Sequence, residues 1–89
     1  MKTISLSEFL RQALEERGYD YDIIRRQEHY ALIVWDNGTD WIVWEITPYH
    51  VYELMFDTKE EAYEFATDYE AVANANMWYE YDIEDLLEE

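Results

Sequence analysis

The chain has no cysteine, one proline, two glycines and six lysine or arginine residues among its 89 residues. Without cysteine, it lacks disulfides, thiolate metal sites and a cysteine nucleophile. The only glycines, Gly18 and Gly38, cannot form a glycine-rich phosphate-binding loop. Ser5 and Ser7 stand at the start of a helical pattern, where capping accounts for them better than nucleophilic catalysis. We therefore predict no catalytic residues and a protein that is not an enzyme.

Candidate metal ligands are equally few. The stretch Asp36 to Asp40 resembles the start of a calcium-binding loop. However, Trp41 occupies the position of the required glycine, and Thr47 that of the bidentate glutamate. The two histidines, His29 and His50, flank strand patterns and are typical of surface positions. We predict no metal site and no cofactor.

Hydrophobic residues make up 49% of the chain and aromatic residues 18%, which is enough for a folded core. The length predicts a single domain over residues 1–89. Residues 1–4 contain no apolar targeting segment, and no stretch approaches the ~18 apolar residues of a membrane span. We therefore expect a cytoplasmic protein that does not associate with membranes.

The charge is strongly one-sided, with 22 acidic residues against six basic ones and a net charge of −16. Residues 1–26 are balanced, with five acids and five bases. After residue 26, 17 acids face a single base, Lys59. Solubility needs a net charge of only about 2–8, so this excess indicates another purpose. It also argues against direct nucleic-acid binding, which requires a basic face.

The pattern of elements predicts an α+β fold with the order αβββα(α). A capping box at Ser5 to Glu8 and the glycine at Gly18 bound a first helix. The runs "HYALIVWD", "TDWIVWEIT" and "HVYELMFD" predict a three-stranded antiparallel meander, preceded by a short extended lead-in over residues 21–26. A second capping box at Thr58 begins a long helix, and Asp82 caps a short C-terminal one. We expect the helices to cover one face of the sheet.

The register of the Asn37-Gly38 hairpin has two alternatives. A three-residue turn with a bulge at Gly38 places Trp44 with Leu32 and Val34 on the face under the helices, and Trp35 with Trp41 on the other. A two-residue type I′ turn moves Trp41 into the face of Leu32 and Val34. Trp35 and Trp41 then either stiffen the hairpin as cross-strand aromatics or form an exposed apolar anchor among carboxylates.

The small size, the absence of cysteine, the strong acidity and the inferred topology resemble the phage-encoded inhibitors of nucleic-acid enzymes, namely anti-CRISPR and antirestriction DNA mimics. The resemblance implies that carboxylates occupy a basic groove meant for DNA phosphates, such as the PAM-reading region of a Cas9-type effector. Apolar anchors beside the acids would supply affinity that charge alone does not.

The candidate partner-binding residues are drawn from the strands, the long helix and the C-terminal segment. They are Asp36, Asp40, Glu45, Glu53, Glu60, Glu64, Asp68, Glu80, Asp82, Glu84, Asp85, Trp35 and Trp41. The first alternative function is an adaptor or homodimer that uses an aromatic sheet face, and the protein could be a monomer or a homodimer. The second is a halophilic surface, although halophily predicts acids throughout the chain.

Overall fold

The computed structural model describes residues 4–76 and 78–87. Five antiparallel strands form one sheet in chain order: β1 (Tyr21–Gln27), β2 (Tyr30–Asp36), β3 (Trp41–Ile46), β4 (His50–Phe56) and β5 (Tyr79–Asp82). The helices are α1 (Leu6–Leu10), which continues as a π-helical segment (Arg11–Glu15), α2 (Lys59–Thr67), α3 (Tyr69–Asn74) and α4 (Ile83–Leu87). Among these, no helix is long and apolar enough to cross a membrane. The prediction that residues 1–4 contain no targeting segment falls mostly on residues 1–3, which lie outside the described range.

The predicted αβββα(α) layout with helices on one face is wrong. The sheet has five strands, because the lead-in forms the edge strand β1 and the segment before α4 forms the edge strand β5. Helices cover both faces, since one buried cluster contains residues of α1 and α4 and the other contains residues of α2 and α3. The three-layer arrangement follows from the two apolar faces of the central strands, each of which must be buried.

The β2–β3 hairpin has a four-residue loop, Asn37 to Asp40, so neither predicted turn forms. The side chain of Asn37 closes the loop, since its Oδ1 accepts the N–H groups of Thr39 and Asp40 at 2.9 and 2.8 Å. Gly38 has φ 93°, a left-handed conformation that favours glycine. The resulting register pairs Asp36 with Trp41.

This register decides the two faces. Trp41 shares the face of Leu32 and Val34, as the two-residue turn would have placed it. Trp35 and Trp44 lie together on the opposite face. The face assignment based on a three-residue turn is therefore wrong, because a register change of one residue moves every side chain of a strand to the other face.

The first face is sealed by α1, the π-helical segment and α4. Ser5 caps α1 by accepting the N–H of Glu8, which is one half of the predicted capping box, while the Glu8 carboxylate accepts from Arg11 and Gln12 instead. Phe9 then packs on Trp44 with ring centroids 5.9 Å apart, and Trp44 lies 4.9 Å from Trp35. We call this half of the molecule the α1–α4 side.

The second face is covered by α2 and α3, which we call the α2–α3 side. Ala62 and Ala66 are buried against Leu32, Val34 and Val43. The predicted long helix is interrupted at Asp68, whose backbone is extended (φ −94°, ψ 103°) and whose side chain accepts the N–H groups that begin α3. Aspartate competes with helical hydrogen bonding in this way, which accounts for the break.

Candidate protein-binding surface

The solvent-facing charges differ between the two sides of the sheet. The α2–α3 side carries ten carboxylates and two basic residues: Asp22, Asp36, Glu45, Glu60, Glu61, Glu64, Asp68, Glu70, Glu80 and Asp82, with Arg25 and Lys59. The α1–α4 side carries five carboxylates and three arginines: Glu8, Glu15, Glu16, Glu84 and Asp85, with Arg11, Arg17 and Arg26. The acidic excess of the sequence is therefore concentrated in space on the α2–α3 side.

Basic side chains form ion pairs with carboxylates on the α1–α4 side, whereas Lys59 on the α2–α3 side contacts aromatic rings. On the α1–α4 side, Arg11 forms ion pairs with Glu8 and Glu16. The pKa of Glu8 is lowered to about 2, chiefly by its hydrogen bond with Arg11. On the α2–α3 side, Lys59 Nζ instead lies 5.8 Å from the ring centroids of both Trp41 and Tyr63, at cation–π distance.

Two of the predicted site residues are buried on the α1–α4 face. Trp35 is 8% exposed and Glu53 is 8% exposed. Glu53 accepts hydrogen bonds from Trp44 Nε1 at 2.9 Å and from the Tyr81 hydroxyl at 3.1 Å. Both Trp35 and Glu53 therefore support the core, and we leave them out of the candidate surface.

Trp41 is half-buried and packs near Tyr63, with ring centroids 6.4 Å apart. It lies on the opposite face from Trp35, so the two tryptophans do not form one anchor. Asp36 and Asp40 lie at the hairpin loop, where Asp36 Oδ1 accepts the Gly38 N–H at 2.6 Å. Asp36 is the last residue of β2 and lies on the α2–α3 face, opposite Trp41, whereas Asp40 lies in the loop at the end of the sheet.

The predicted helical acids are divided between the two sides. Glu60 and Glu64 are exposed on α2, opposite the buried Ala62 and Ala66, while Asp68 caps α3. Glu84 and Asp85 are exposed on α4, whose Ile83 packs in the α1–α4 core. The predicted acids therefore do not form one continuous surface, and those on the α2–α3 side are separated from Glu84 and Asp85 by the sheet.

The uncovered part of the α2–α3 face brings together Glu45, Glu80 and Asp82. Glu45 accepts a hydrogen bond from the Tyr30 hydroxyl at 2.8 Å. His50 Nε2 lies 3.2 Å from Asp82 Oδ1 and 3.5 Å from Glu80 Oε2. Across residues 4–76 and 78–87, no group of three or more His, Asp or Glu side chains is arranged to hold a metal ion.

Sequence reasoning missed the partners of these acids. Tyr52 lies directly between Glu45 and Glu80 across β3, β4 and β5. Arg25 Cζ lies 4.7 Å from the centroid of the Tyr69 ring. The alternation of Tyr52 and Leu54 along β4 indicated which side chains of that strand share a face. Glu45 was nevertheless missed as a neighbour because the three-residue turn placed it on the other face, and Arg25 and Glu80 were missed because β1 and β5 were not predicted as strands.

A cavity of about 500 Å³ lies elsewhere, between the start of α1 and the β3–β4 turn. Its walls include the buried Phe9, Ile46 and Ile83, and the exposed Arg26 and His29. The carboxylates of the α2–α3 side do not line it.

No protein-family model matches the chain, and comparisons with curated proteins and with solved structures return no match.

Proposed function

We propose that the protein is an acidic inhibitor whose α2–α3 side occupies the DNA-binding groove of a defence nuclease, such as a Cas effector or a restriction enzyme, in the cytoplasm. The observation that supports this proposal best is the unequal distribution of charge, with ten carboxylates against two basic residues on one side of the sheet and five carboxylates against three arginines on the other. A basic groove would attract the acidic side and orient the inhibitor as it binds.

The spacing of the carboxylates also supports mimicry of DNA phosphates. Glu60 and Glu64 are one helical turn apart, about 6 Å between their Cβ atoms. Glu80 and Asp82 are two residues apart on β5 and therefore lie on the same face, about 7 Å from each other along the strand. These separations are of the same order as the distance between successive phosphates on one DNA strand. Arginine and lysine side chains that bind consecutive phosphates could therefore bind consecutive carboxylates.

The first experiment identifies the partner and its DNA dependence. The protein is immobilised and incubated with a panel of purified DNA-targeting enzymes, and duplex DNA is then added to whatever is retained. We expect DNA to displace the inhibitor, and we expect the affinity to fall steeply between 50 and 500 mM salt, roughly as for other charge-steered complexes. Retention that DNA does not compete with would falsify the mimic proposal.

A matched pair of variants tests which side binds. The acidic-side variant combines Glu60→Gln, Glu64→Gln and Glu80→Gln. The control combines Glu15→Gln, Glu28→Gln and Glu84→Gln, three exposed carboxylates outside the α2–α3 side, and it changes the net charge equally. We expect about a ten- to hundredfold loss of affinity in the first variant and a much smaller loss in the control. Equal losses would mean that net charge, rather than this surface, drives binding.

An adaptor or homodimer is the second candidate function, and exposed apolar residues favour it. Met55 is 51% exposed and Tyr79 is 66% exposed, and both lie on the α1–α4 face, on neighbouring strands, at its open edge. An interface built on this pair would keep its affinity at high salt, unlike a DNA mimic. Sedimentation of the protein at 50 and 500 mM salt, with Met55→Lys as the variant, tests this alternative.

A further inference from the structure

The part of the α2–α3 face that the helices leave open has a regular order of side chains. Reading across β1 to β5, the directly paired residues are Arg25, Leu32, Glu45, Tyr52 and Glu80. Leu32 is fully buried, Glu45 and Tyr52 are half-buried, and Glu80 is exposed. The cover provided by the helices therefore decreases toward β5, and the β4–β5 half of this row is an unpartnered sheet face.

The β1–β2 half of the row already holds a guanidinium group. Arg25 Cζ lies 4.7 Å from the Tyr69 ring centroid, within cation–π range. Arg25 also faces the Tyr30 hydroxyl, which donates to Glu45 at 2.8 Å. The pKa of Tyr30 is raised by burial and by its hydrogen bond to Glu45, so this phenol remains protonated and continues to donate. A guanidinium, tyrosine rings and a carboxylate thus form one contact network in this half.

The β4–β5 half has the tyrosine and the carboxylates but no arginine or lysine in either strand. Tyr52 lies with its hydroxyl 3.4 Å from Glu80 Oε2 and its ring centroid 6.2 Å from that of His50. Its pKa is raised by desolvation and by the neighbouring carboxylate of Glu80. Among the residues that the structure describes, the side chains of Glu80 and Asp82 form polar contacts only with His50 and Tyr52. Both carboxylates remain exposed.

We propose that this half receives an arginine side chain of the target protein, with its guanidinium stacked on the Tyr52 ring and hydrogen-bonded to Glu80. The proposal rests on the proposed function and deepens it, because it names the chemical group that the surface binds. The charge of the site is complementary to a cation. A planar guanidinium can stack on an aromatic ring and bind a carboxylate with two parallel hydrogen bonds, whereas the ammonium of lysine is a compact, strongly hydrated charge.

The test uses capped hexa-arginine and hexa-lysine peptides as probes, titrated into the whole protein at 50 mM salt and monitored by calorimetry and by backbone amide NMR. We expect hexa-arginine to bind about two- to fivefold more tightly, the size of a single exposed cation–π contact. The largest amide chemical-shift changes that hexa-arginine causes and hexa-lysine does not should occur at Tyr52, Glu80 and their neighbours on β4 and β5.

Three variants isolate the subsite. Tyr52→Leu removes the ring and should bring the arginine-to-lysine preference to about one, whereas Tyr52→Phe keeps the ring and the preference. Glu60→Gln, which removes an equal charge from α2, should weaken both peptides to the same extent. Near-ultraviolet circular dichroism checks that each variant is folded. The chemical-shift changes of the wild-type protein locate the arginine-binding residues even if a variant does not fold.

The proposal is overturned by equal affinities for the two peptides, by a preference that survives Tyr52→Leu, or by arginine-specific shifts confined to the hairpin loop or α2. Self-association that places a second copy on β4 and β5 would also overturn it. None of these outcomes affects the DNA competition experiment, so the subsite can fail while the inhibitor proposal stands. Conversely, a preference for arginine without DNA-competed binding would reject the inhibitor proposal alone.

Discussion

The two sides of the sheet differ in what lies beneath the helices and in what faces the solvent. The α1–α4 side buries large aromatic rings, including Phe9, Trp35 and Trp44, and pairs two of its surface carboxylates, Glu8 and Glu16, with Arg11. The α2–α3 side packs small residues, Ala62 and Ala66, under its main helix, and within residues 4–76 and 78–87 its carboxylates form ion pairs only with His50. Burial of aromatic area stabilises the fold, while accumulation of like charge destabilises it.

Under the proposed function, this contrast assigns stability mainly to one side of the sheet and recognition to the other. Self-repulsion on the α2–α3 side is offset by apolar burial in both cores, of which the α1–α4 core buries the largest rings. Substitutions in the aromatic core should therefore affect unfolding strongly, and substitutions of the exposed acids should affect binding strongly and unfolding weakly.

The largest effect is expected from Trp44. Replacing Trp44 with Ala removes a ring that is buried against Phe9 and Trp35, and should lower the free energy of unfolding by about 3–5 kcal/mol. Trp41→Ala, at a half-buried position on the other side, should cost about 1–2 kcal/mol. Urea unfolding followed by circular dichroism measures both. Equal costs would show that the two sides contribute equally to stability.

A smaller effect is expected at Glu53. Glu53→Ala leaves the buried Trp44 N–H without its acceptor, and should cost about 1–3 kcal/mol. Glu80→Gln, an exposed change on the neighbouring strand, should stay within about 0.5 kcal/mol. Burial and the Glu53 carboxylate raise the pKa of Tyr81. The stability that the protonated Tyr81 hydroxyl contributes should therefore be complete below pH ~10 and lost at higher pH. If the free energy of unfolding of Glu53→Ala falls by the same amount over the same pH range, Glu53 is not the cause of the pH dependence.

The sequence predicted the features that depend on neighbouring residues. The capping interactions at Ser5 and Thr58 form because each needs only a side chain and an N–H group three residues away. The three central strands were recognisable because β-branched and aromatic residues dominate them. These features are local, so one stretch of sequence contains all the information they need.

The edge strands and the register could not be predicted in this way. β1 carries Asp22, Arg25 and Arg26 and contains a bulge between Ile23 and Arg25, all of which obscure the strand pattern. β5 has only four residues, and its pairing with β4 depends on a contact across the helices between them. The hairpin register depends on Asn37 accepting two N–H groups through its side chain, which the Asn-Gly pattern alone does not reveal.

The candidate surface was only partly predictable for the same reason. The acidic excess after residue 26 is a sequence property, and the structure places much of it on the α2–α3 side. Glu45 and Glu53, by contrast, are eight residues apart on adjacent strands yet lie on opposite faces. Whether such acids share a surface is decided by the register.

The smallest predicted effect compares one carboxylate from each side, Glu8 and Glu64. Glu64 lies one helical turn from Glu60 on α2, so Glu64→Gln should raise the free energy of unfolding by about 0.2–0.5 kcal/mol at low salt and neutral pH. Glu8→Gln should lower it, because Arg11 depresses the pKa of Glu8 to about 2. A depressed pKa contributes stability above the ordinary value of 4.5 that is lost as the pH falls toward 2, so the effect of Glu8→Gln should disappear over that range. Thermal unfolding between pH 2 and 7 measures both variants, and effects of the same sign at pH 7 would contradict the electrostatic difference between the two sides.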